Sequence, residues 1–374
     1  MDIDNILQSQ KDYFLSQQTK DIPFRKKCLK KLQTELIKRE SDIIKALHDD
    51  FKKSEYEAVL TETSIVLSEL KMTIKKINSW AKPKGVLPSL LNFPSSAKIY
   101  KEPYGAVLII SPWNYPHQLA FGPLIGAIAA GNTVILKPSE LTPNTSAVTK
   151  EIIEAVFDKK QVTIIEGGVE VSKRLLAQRW DYIFFTGSVS VGKIVAKAAA
   201  EFLTPVTLEL GGKSPCIVDK TANIKLAAKR IVWGKYVNCG QTCIAPDYLY
   251  IHESIKDEVV TEMTACVKKQ YGLGNDARDN GDYCQVVNTA HYGRISALLK
   301  DAKANGGKVL IGGEMVKAGR FIAPTMIEGM SEDSAIMQEE IFGPILPIIT
   351  FSDLDEAVAY VNSKPKPLAL YIYA

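Results

Sequence analysis

One short stretch of this chain could carry covalent chemistry: Asn238-Cys239-Gly240-Gln241-Thr242-Cys243, followed by Ile244-Ala245-Pro246-Asp247. Glycine, small polar residues and a proline surround Cys243, so its thiol need not be packed inside a helix, and a thiolate attacks carbonyl carbon well. An ordinary cysteine has a pKa of about 8.5 and is mostly protonated at neutral pH, so a catalytic Cys243 needs an activating partner elsewhere. Glu209 is one candidate. It lies in the apolar run Val206-Thr207-Leu208-Glu209-Leu210, where an unpaired carboxylate is costly and tends towards a raised pKa; such a residue is either edge-exposed or functional. Taken alone, Cys243 reads as a structural thiol, Asn114 as a turn residue and Lys137 as a solvated lysine. Cys239 raises the idea of a metal pair or disulfide with Cys243. Neither is favoured, because no further ligands accompany the two thiols and a bridge would consume the nucleophile.

The elements that must position these residues follow from periodicity. Up to residue 80 the pattern is helical: Leu29, Leu32, Leu36 and Ile37 share one face, as do Leu67, Leu70, Ile74 and Ile77. A proline-rich break from Lys82 to Pro88 opens a segment, 83–104, that reads as a protruding hairpin or as a plain surface loop. From Ala106 short β-rich runs alternate with helical stretches: Ala106–Ile110, Thr133–Leu136, Val162–Ile165, Tyr182–Phe185 and Val206–Leu210. This alternation predicts an α/β fold with a parallel sheet, whose ligands bind beyond the carboxyl ends of the strands. A second α/β segment starts near Lys213, with strands Cys216–Val218 and Tyr248–Ile251 and helices Ile224–Val237 and Lys256–Gln270. The expected domains are therefore 1–212 and 213–374.

Two glycine patterns compete for a nucleotide. Gly272-Leu273-Gly274-Asn275-Asp276-Ala277 matches a dinucleotide fingerprint but follows a helix, so it is discarded. Gly187-Ser188-Val189-Ser190-Val191-Gly192-Lys193 follows the strand Tyr182–Phe185 and opens a helix whose N–H groups could hold phosphate. It nearly spells a P-loop, but Ile194 stands where the magnesium-binding hydroxyl belongs, which favours a pyrophosphate over a triphosphate.

In these motifs the chain resembles the NAD(P)-dependent aldehyde dehydrogenases, in particular their class 3 and fatty-aldehyde branch. The matching pieces run in order: Pro112-Trp113-Asn114-Tyr115-Pro116, Lys137-Pro138-Ser139-Glu140, Phe185-Thr186-Gly187-Ser188, Leu208-Glu209-Leu210-Gly211-Gly212-Lys213, Gly240-Gln241-Thr242-Cys243 and Glu339-Glu340-Ile341-Phe342-Gly343-Pro344. The resemblance implies a Rossmann-like cofactor domain, a second α/β catalytic domain and a small oligomerisation arm at 83–104. It implies Cys243 as nucleophile, the Asn114 amide with the Cys243 N–H as oxyanion donors, and Glu209 as general base for water. For the cofactor it implies Lys137 and Glu140 at the adenosine ribose, Gly187, Ser188 and Gly192 under the adenine and pyrophosphate, and Glu340 and Phe342 at the nicotinamide ribose. Trp113 and Leu210 join that set from the same motifs. NAD is the implied cofactor, with NADP as an alternative, and medium- to long-chain aliphatic or aromatic aldehydes are the implied substrates. A CoA-acylating enzyme and an inactive nucleotide-binding homologue are the competing readings; Glu209 argues for water as acyl acceptor.

The resemblance also implies several tens of residues beyond the region of Lys366 to Tyr371, including a strand that pairs between subunits of a homodimer. A chain ending at Ala374 is thus expected to be truncated, with Leu368–Tyr373 as an edge strand. Fatty-aldehyde relatives carry an anchor in the region beyond, so membrane attachment is left open.

Composition narrows the alternatives. In 374 residues, 46 basic and 42 acidic side chains leave a net charge of +4, dispersed along helices, which gives no reason to expect nucleic acid. The acidic start Met1-Asp2-Ile3-Asp4-Asn5 lacks the features of a signal peptide, and six scattered cysteines form no disulfide framework, so a cytoplasmic location is expected. The uncharged stretch Leu119 to Leu136 has nearly the length of a membrane span, but Pro123 and Gly131-Asn132 mark it as a buried helix followed by a strand. Asn144-Thr145-Ser146 is read as a helix N-cap rather than a glycosylation acceptor.

Overall fold

Five of the apolar runs of the first half pair side by side in parallel. The structure is a computed structural model describing residues 2–374, in which the chain forms two compact units: Met1–Ala46 with Ala58–Glu209, and Leu47–Glu57 with Leu210–Ala374.

In the first unit, β1 (Lys84–Val86) and β2 (Ala97–Ile99) form an antiparallel hairpin. The sheet follows: β3 (Ala106–Ile110), β4 (Thr133–Lys137), β5 (Val162–Ile164), β6 (Tyr182–Thr186) and β7 (Val206–Glu209), in the order β5-β4-β3-β6-β7, all parallel. β3 and β4 are buried along their whole length, which is why they read as continuous apolar runs. The chain moves outward from β3 through β4 to β5, then returns to place β6 on the other side of β3. That reversal makes a switch point, the place where ligands of open α/β sheets bind at the carboxyl edge.

The stretch Leu119 to Leu136 becomes a helix, Gln118–Ala130, capped by Gly131 at φ 99° and followed by β4. Glu62, fully buried, accepts the backbone N–H groups of His117 and Gln118 at 2.9 and 3.0 Å, and Arg25 donates to the carbonyl of Ala129 at the other end. A carboxylate at the start and a guanidinium at the end both complement the helix dipole. This fixes the helix behind the loop that carries Asn114.

Three local expectations shift. Ile37 is 57% exposed and off the buried face of Leu29, Leu32 and Leu36, because one residue beyond Leu36 is about 100° around the helix. In the helix Ser64–Trp80 the buried line is Val66, Leu70, Thr73 and Ile77, with Leu67 and Ile74 only half-buried. The helix Pro143–Val156 has Thr142 as its N-cap, so Asn144 lies inside the first turn; Pro143 suits the first helical position and sets the cap one residue before it.

The second unit contains β8 (Pro215–Val218), β9 (Tyr248–His252), β10 (Lys308–Ile311), a small ladder of β11 (Met315–Val316) with β12 (Phe321–Ile322), β13 (Thr325–Glu328), β14 (Ile345–Phe351) and β15 (Tyr371–Tyr373). Its main sheet runs β10-β13-β14-β9-β8-β15, parallel except where β10 meets β13. β15 starts at Tyr371 rather than Leu368. It pairs only with Cys216–Val218, and Pro365 and Pro367 just before it lack N–H donors.

Candidate active site

At the carboxyl edge of the first unit's sheet, four of the five parallel strands, β3, β4, β6 and β7, lead into candidate residues. Beyond β3, Asn114 is buried and Trp113 half-buried, and Ser111 N–H donates to the carbonyl of Lys137, tying this loop to the end of β4. Lys137 closes β4 with its side chain only 4% exposed, and its Nζ donates to Glu140 Oε2 at 2.6 Å. The solvated lysine of the bare sequence is therefore a buried, paired ammonium. Beyond β6, Gly187 N–H donates to the carbonyl of Glu209 at 3.0 Å, and a side-chain carbon on Gly187 would lie 2.5 Å from the Phe185 ring. Ser188 caps the helix Val189–Ala200 through its Oγ, and Gly192 packs buried in the first turn.

Glu209 is the last residue of β7, the edge strand, and it is exposed. Of the two readings open for it, edge-exposed or functional, its place at the end of an edge strand matches the first. A strand end at a sheet edge keeps the carboxylate in water.

In the second unit, the helix Ile224–Tyr236 breaks into a tight turn in which Asn238, Cys239 and Gly240 all take left-handed backbone angles, φ 55°, 56° and 70°. Two non-glycine residues in that region mark a turn held by its surroundings. Gln241 holds it. Fully buried, it donates from Nε2 to the carbonyls of Asn238 and Gln285 at 3.0 and 3.1 Å and accepts the Val287 N–H at 2.9 Å. The turn separates the two thiols: Cys239 is buried against the Tyr283 hydroxyl, its pKa pushed up to about 12 by burial, whereas Cys243 emerges half-buried. None of the six cysteines is in a disulfide.

Glu340 and Phe342 sit on the segment that packs against this turn. A side-chain carbon on Gly240 would lie 2.4 Å from the Gly343 carbonyl oxygen, and one on Gly211 would lie 2.2 Å from Glu340 Oε1. Only glycine permits these approaches. Burial pushes the Glu340 carboxyl up to about 7, opposed by a hydrogen bond from Gly212 N–H and by Arg294 and Lys213. Phe342 itself has φ 47°. Burial likewise holds Lys235, 1% exposed, down to about 8.

The structure thus gathers Asn114, Lys137, Glu140, Gly187, Ser188, Gly192 and Glu209 on one sheet edge, and Leu210, Cys243, Glu340 and Phe342 within the second unit. Sequence reasoning missed Glu62, Gln241, Asp247 and Arg294, which act on backbone rather than on a ligand. Gln241 and Asp247 lie in the stretch around Cys243; Glu62 and Arg294 had no local signal.

The family model for the aldehyde dehydrogenase family matches residues 1–374. This chain belongs to the aldehyde dehydrogenase family. It is 51% identical over 364 residues to the 4,4'-diaponeurosporen-aldehyde dehydrogenase of Staphylococcus aureus, covering 97% of this chain and 78% of that protein. It is 42% identical over 372 residues to the dimeric NADP-preferring aldehyde dehydrogenase of Mus musculus, covering 100% of this chain and 81% of that protein. Among solved structures, a substrate-bound Staphylococcus aureus AldH superimposes with a TM-score of 0.96 at 50% identity, covering 100% of this chain and 81% of the other. The NAD+ complex of a Bacillus cereus aldehyde dehydrogenase superimposes with a TM-score of 0.90 at 25% identity, covering 100% and 76%. This aldehyde dehydrogenase is an oxidoreductase that converts an aldehyde to a carboxylic acid with NAD or NADP, and the matches favour acid formation over the CoA-acylating and inactive alternatives. No described helix is long and apolar enough to cross a membrane.

Proposed function

We propose that Cys243 is the nucleophile of this oxidation, Asn114 its oxyanion donor and Glu209 the base that activates water. The observation carrying this reading is the left-handed turn at 238–240, which buries Cys239 and delivers Cys243 half-exposed. Cys243 attacks as its thiolate, the thiol proton having passed to solvent: Sγ bonds to the aldehyde carbon, and the Asn114 side-chain amide stabilises the oxygen that becomes negative. Bound NAD or NADP supplies the hydride acceptor. Glu209, exposed at a strand end, takes a proton from the water that hydrolyses the acyl–Cys243 thioester.

The residues fit a dinucleotide. The helix Val189–Ala200 carries no acidic residue in its first turn, where Ser188 Oγ accepts the Val191 N–H, so its positive end favours a pyrophosphate, and the Lys137–Glu140 pair offers donor and acceptor to ribose hydroxyls. Trp113, Gly187, Ser188 and Gly192 complete that side, and Leu210, Glu340 and Phe342 are assigned to the nicotinamide ribose. The domains are assigned accordingly as 1–212 for the cofactor, with 83–104 as an arm, and 213–374 for catalysis, with residues 47–57 and 210–212 packing with the second unit.

Four apolar residues of the arm, Leu87, Leu90, Leu91 and Phe93, are each more than 80% exposed, which supports a homodimer formed through it. The named substrate of the Staphylococcus aureus relative supports a medium- to long-chain aldehyde, and scattered thiols without disulfides support a cytoplasmic location.

The deciding experiment is Cys243→Ser assayed for reduced cofactor with an aldehyde panel, beside mass-spectrometric mapping of iodoacetamide labelling. We expect loss of turnover with retained cofactor binding, and labelling of Cys243 but not Cys239. Persistent turnover in Cys243→Ser overturns the assignment.

A further inference from the structure

Four of the six backbone polar groups of the segment 339–341 bond to charged side chains, all within the second unit. Arg294, from the helix Thr289–Ala304, donates from Nη2 to the Ile341 carbonyl at 2.7 Å and from Nη1 to the Glu340 carbonyl at 3.3 Å, with the Glu339 carboxylate also at 3.3 Å. Asp247, 3% exposed, accepts the Ile341 N–H at Oδ1 at 2.9 Å. Its other oxygen pairs with Lys213, whose Nζ also donates to the carbonyls of Ile336 and Glu339 at 2.7 and 3.0 Å. Lys213 in turn follows directly on Gly211 and Gly212, the backbone against which the Glu340 carboxylate lies.

A segment whose N–H and C=O groups are satisfied by three ionised side chains is far stiffer than a solvated loop, since charge-assisted hydrogen bonds are roughly twice as strong as neutral ones. This segment also has little secondary structure of its own, lying between the short helix Ala335–Gln338 and β14. Its shape is therefore set by the clamp rather than by local propensity.

We propose that Arg294 is a positioning residue for the cofactor, acting with the Lys213–Asp247 pair to hold the backbone that presents Glu340 and Phe342. The proposal rests on the reading of Glu340 as a cofactor contact. Arg294 suits the task because its planar fork spans two successive carbonyls, which a lysine's single ammonium cannot do in the same geometry. Its side chain is 32% exposed, so replacing it leaves no cavity in the core.

The test compares wild type, Arg294→Gln, Arg294→Lys, Glu340→Ala and the double variant Arg294→Gln/Glu340→Ala. Binding of NADH is followed by fluorescence titration, and backbone hydrogen exchange of residues 336–344 is followed in the cofactor-free enzyme. We expect Arg294→Gln to weaken NADH binding about tenfold or more and to speed exchange over this segment. Arg294→Lys should recover part of the affinity, and in the Glu340→Ala background the Arg294→Gln change should add little, since the contact being positioned is already gone. Weakened binding in Glu340→Ala with unchanged binding in Arg294→Gln overturns the clamp alone. Unchanged binding in Glu340→Ala overturns the reading of Glu340, and the clamp with it. A full additive loss in the double variant also overturns the proposal, because it marks a general effect on stability.

Discussion

Gly240 and Gly343 touch backbone to backbone: a side-chain carbon on Gly240 would sit 2.4 Å from the Gly343 carbonyl oxygen and 3.1 Å from that of Lys235. The turn leading to Cys243 is thereby pressed against the segment that carries Glu340 and Phe342. Gly240→Ala combines this clash with a φ of 70°, so the turn must move. We expect a stability loss of about 1–3 kcal/mol in urea unfolding and a fall in turnover larger than the unfolded fraction accounts for. An unperturbed enzyme would show that the turn has slack.

The Lys137–Glu140 pair gives an asymmetric prediction. The lysine side chain is 4% exposed and the glutamate 39%. Glu140→Ala leaves a buried ammonium without its carboxylate; Lys137→Met replaces it with an apolar chain and leaves a carboxylate that water can reach. Breaking a fully buried pair costs about 3–5 kcal/mol, and the exposure of Glu140 reduces this to about 1–2 kcal/mol for Glu140→Ala, against less than about 1 kcal/mol for Lys137→Met. Denaturation midpoints of the two variants check the order.

Glu209 is exposed, so Glu209→Gln should shift stability by less than about 0.5 kcal/mol. Its proposed role as the base for thioester hydrolysis predicts that its loss lowers steady-state turnover about 10²–10⁴-fold. Acylation of Cys243 would still proceed, so stopped-flow measurement should show one burst of reduced cofactor per site. Loss of the burst together with turnover would place Glu209 before hydrolysis.

Glu340 couples stability to pH. Burial raises its carboxyl from the ordinary 4.5 to about 7, so the folded state binds its proton more tightly than the unfolded chain does. The stability it contributes is full below about pH 4.5 and is lost as pH rises through about 7. Glu340→Gln removes this dependence. We expect the difference in unfolding free energy between variant and wild type to change by about 1–3 kcal/mol between pH 4.5 and pH 8, in favour of the variant at high pH. A flat difference curve would show that the carboxyl is not held in its raised state.

Much of this was legible in the chain. β3 and the helix Lys256–Gln270 fall at their expected bounds and β4 to β9 within one residue, because a fully buried strand must be apolar throughout and an amphipathic helix must repeat its apolar face; β10 to β14 were not foreseen. The position of Gly187 and Ser188 between β6 and a helix start was readable because turn, cap and strand signals are all local. Lys137 was not: as a single residue it resembles any solvated lysine, and its burial comes from neighbours brought by β3 and β5. For Glu209 the apolar run left both edge exposure and function open, since such a run does not reveal whether its strand lies at the centre or the edge of a sheet.

The sequence by itself determined the alternation of strands and helices, the order of the motifs and the residue types able to form and hydrolyse a thioester, because these depend on periodicity and side-chain chemistry. Only the tertiary structure decided which of two neighbouring thiols is shut away and which emerges, that Glu209 stands in water, and that Arg294, Asp247 and Lys213 hold the backbone beneath Glu340. Those outcomes depend on contacts between residues tens of positions apart, such as Arg294 with Ile341 and Gln241 with Gln285. No local pattern encodes a hydrogen bond from a side chain to a distant carbonyl, since every residue has such a carbonyl and only the fold selects one.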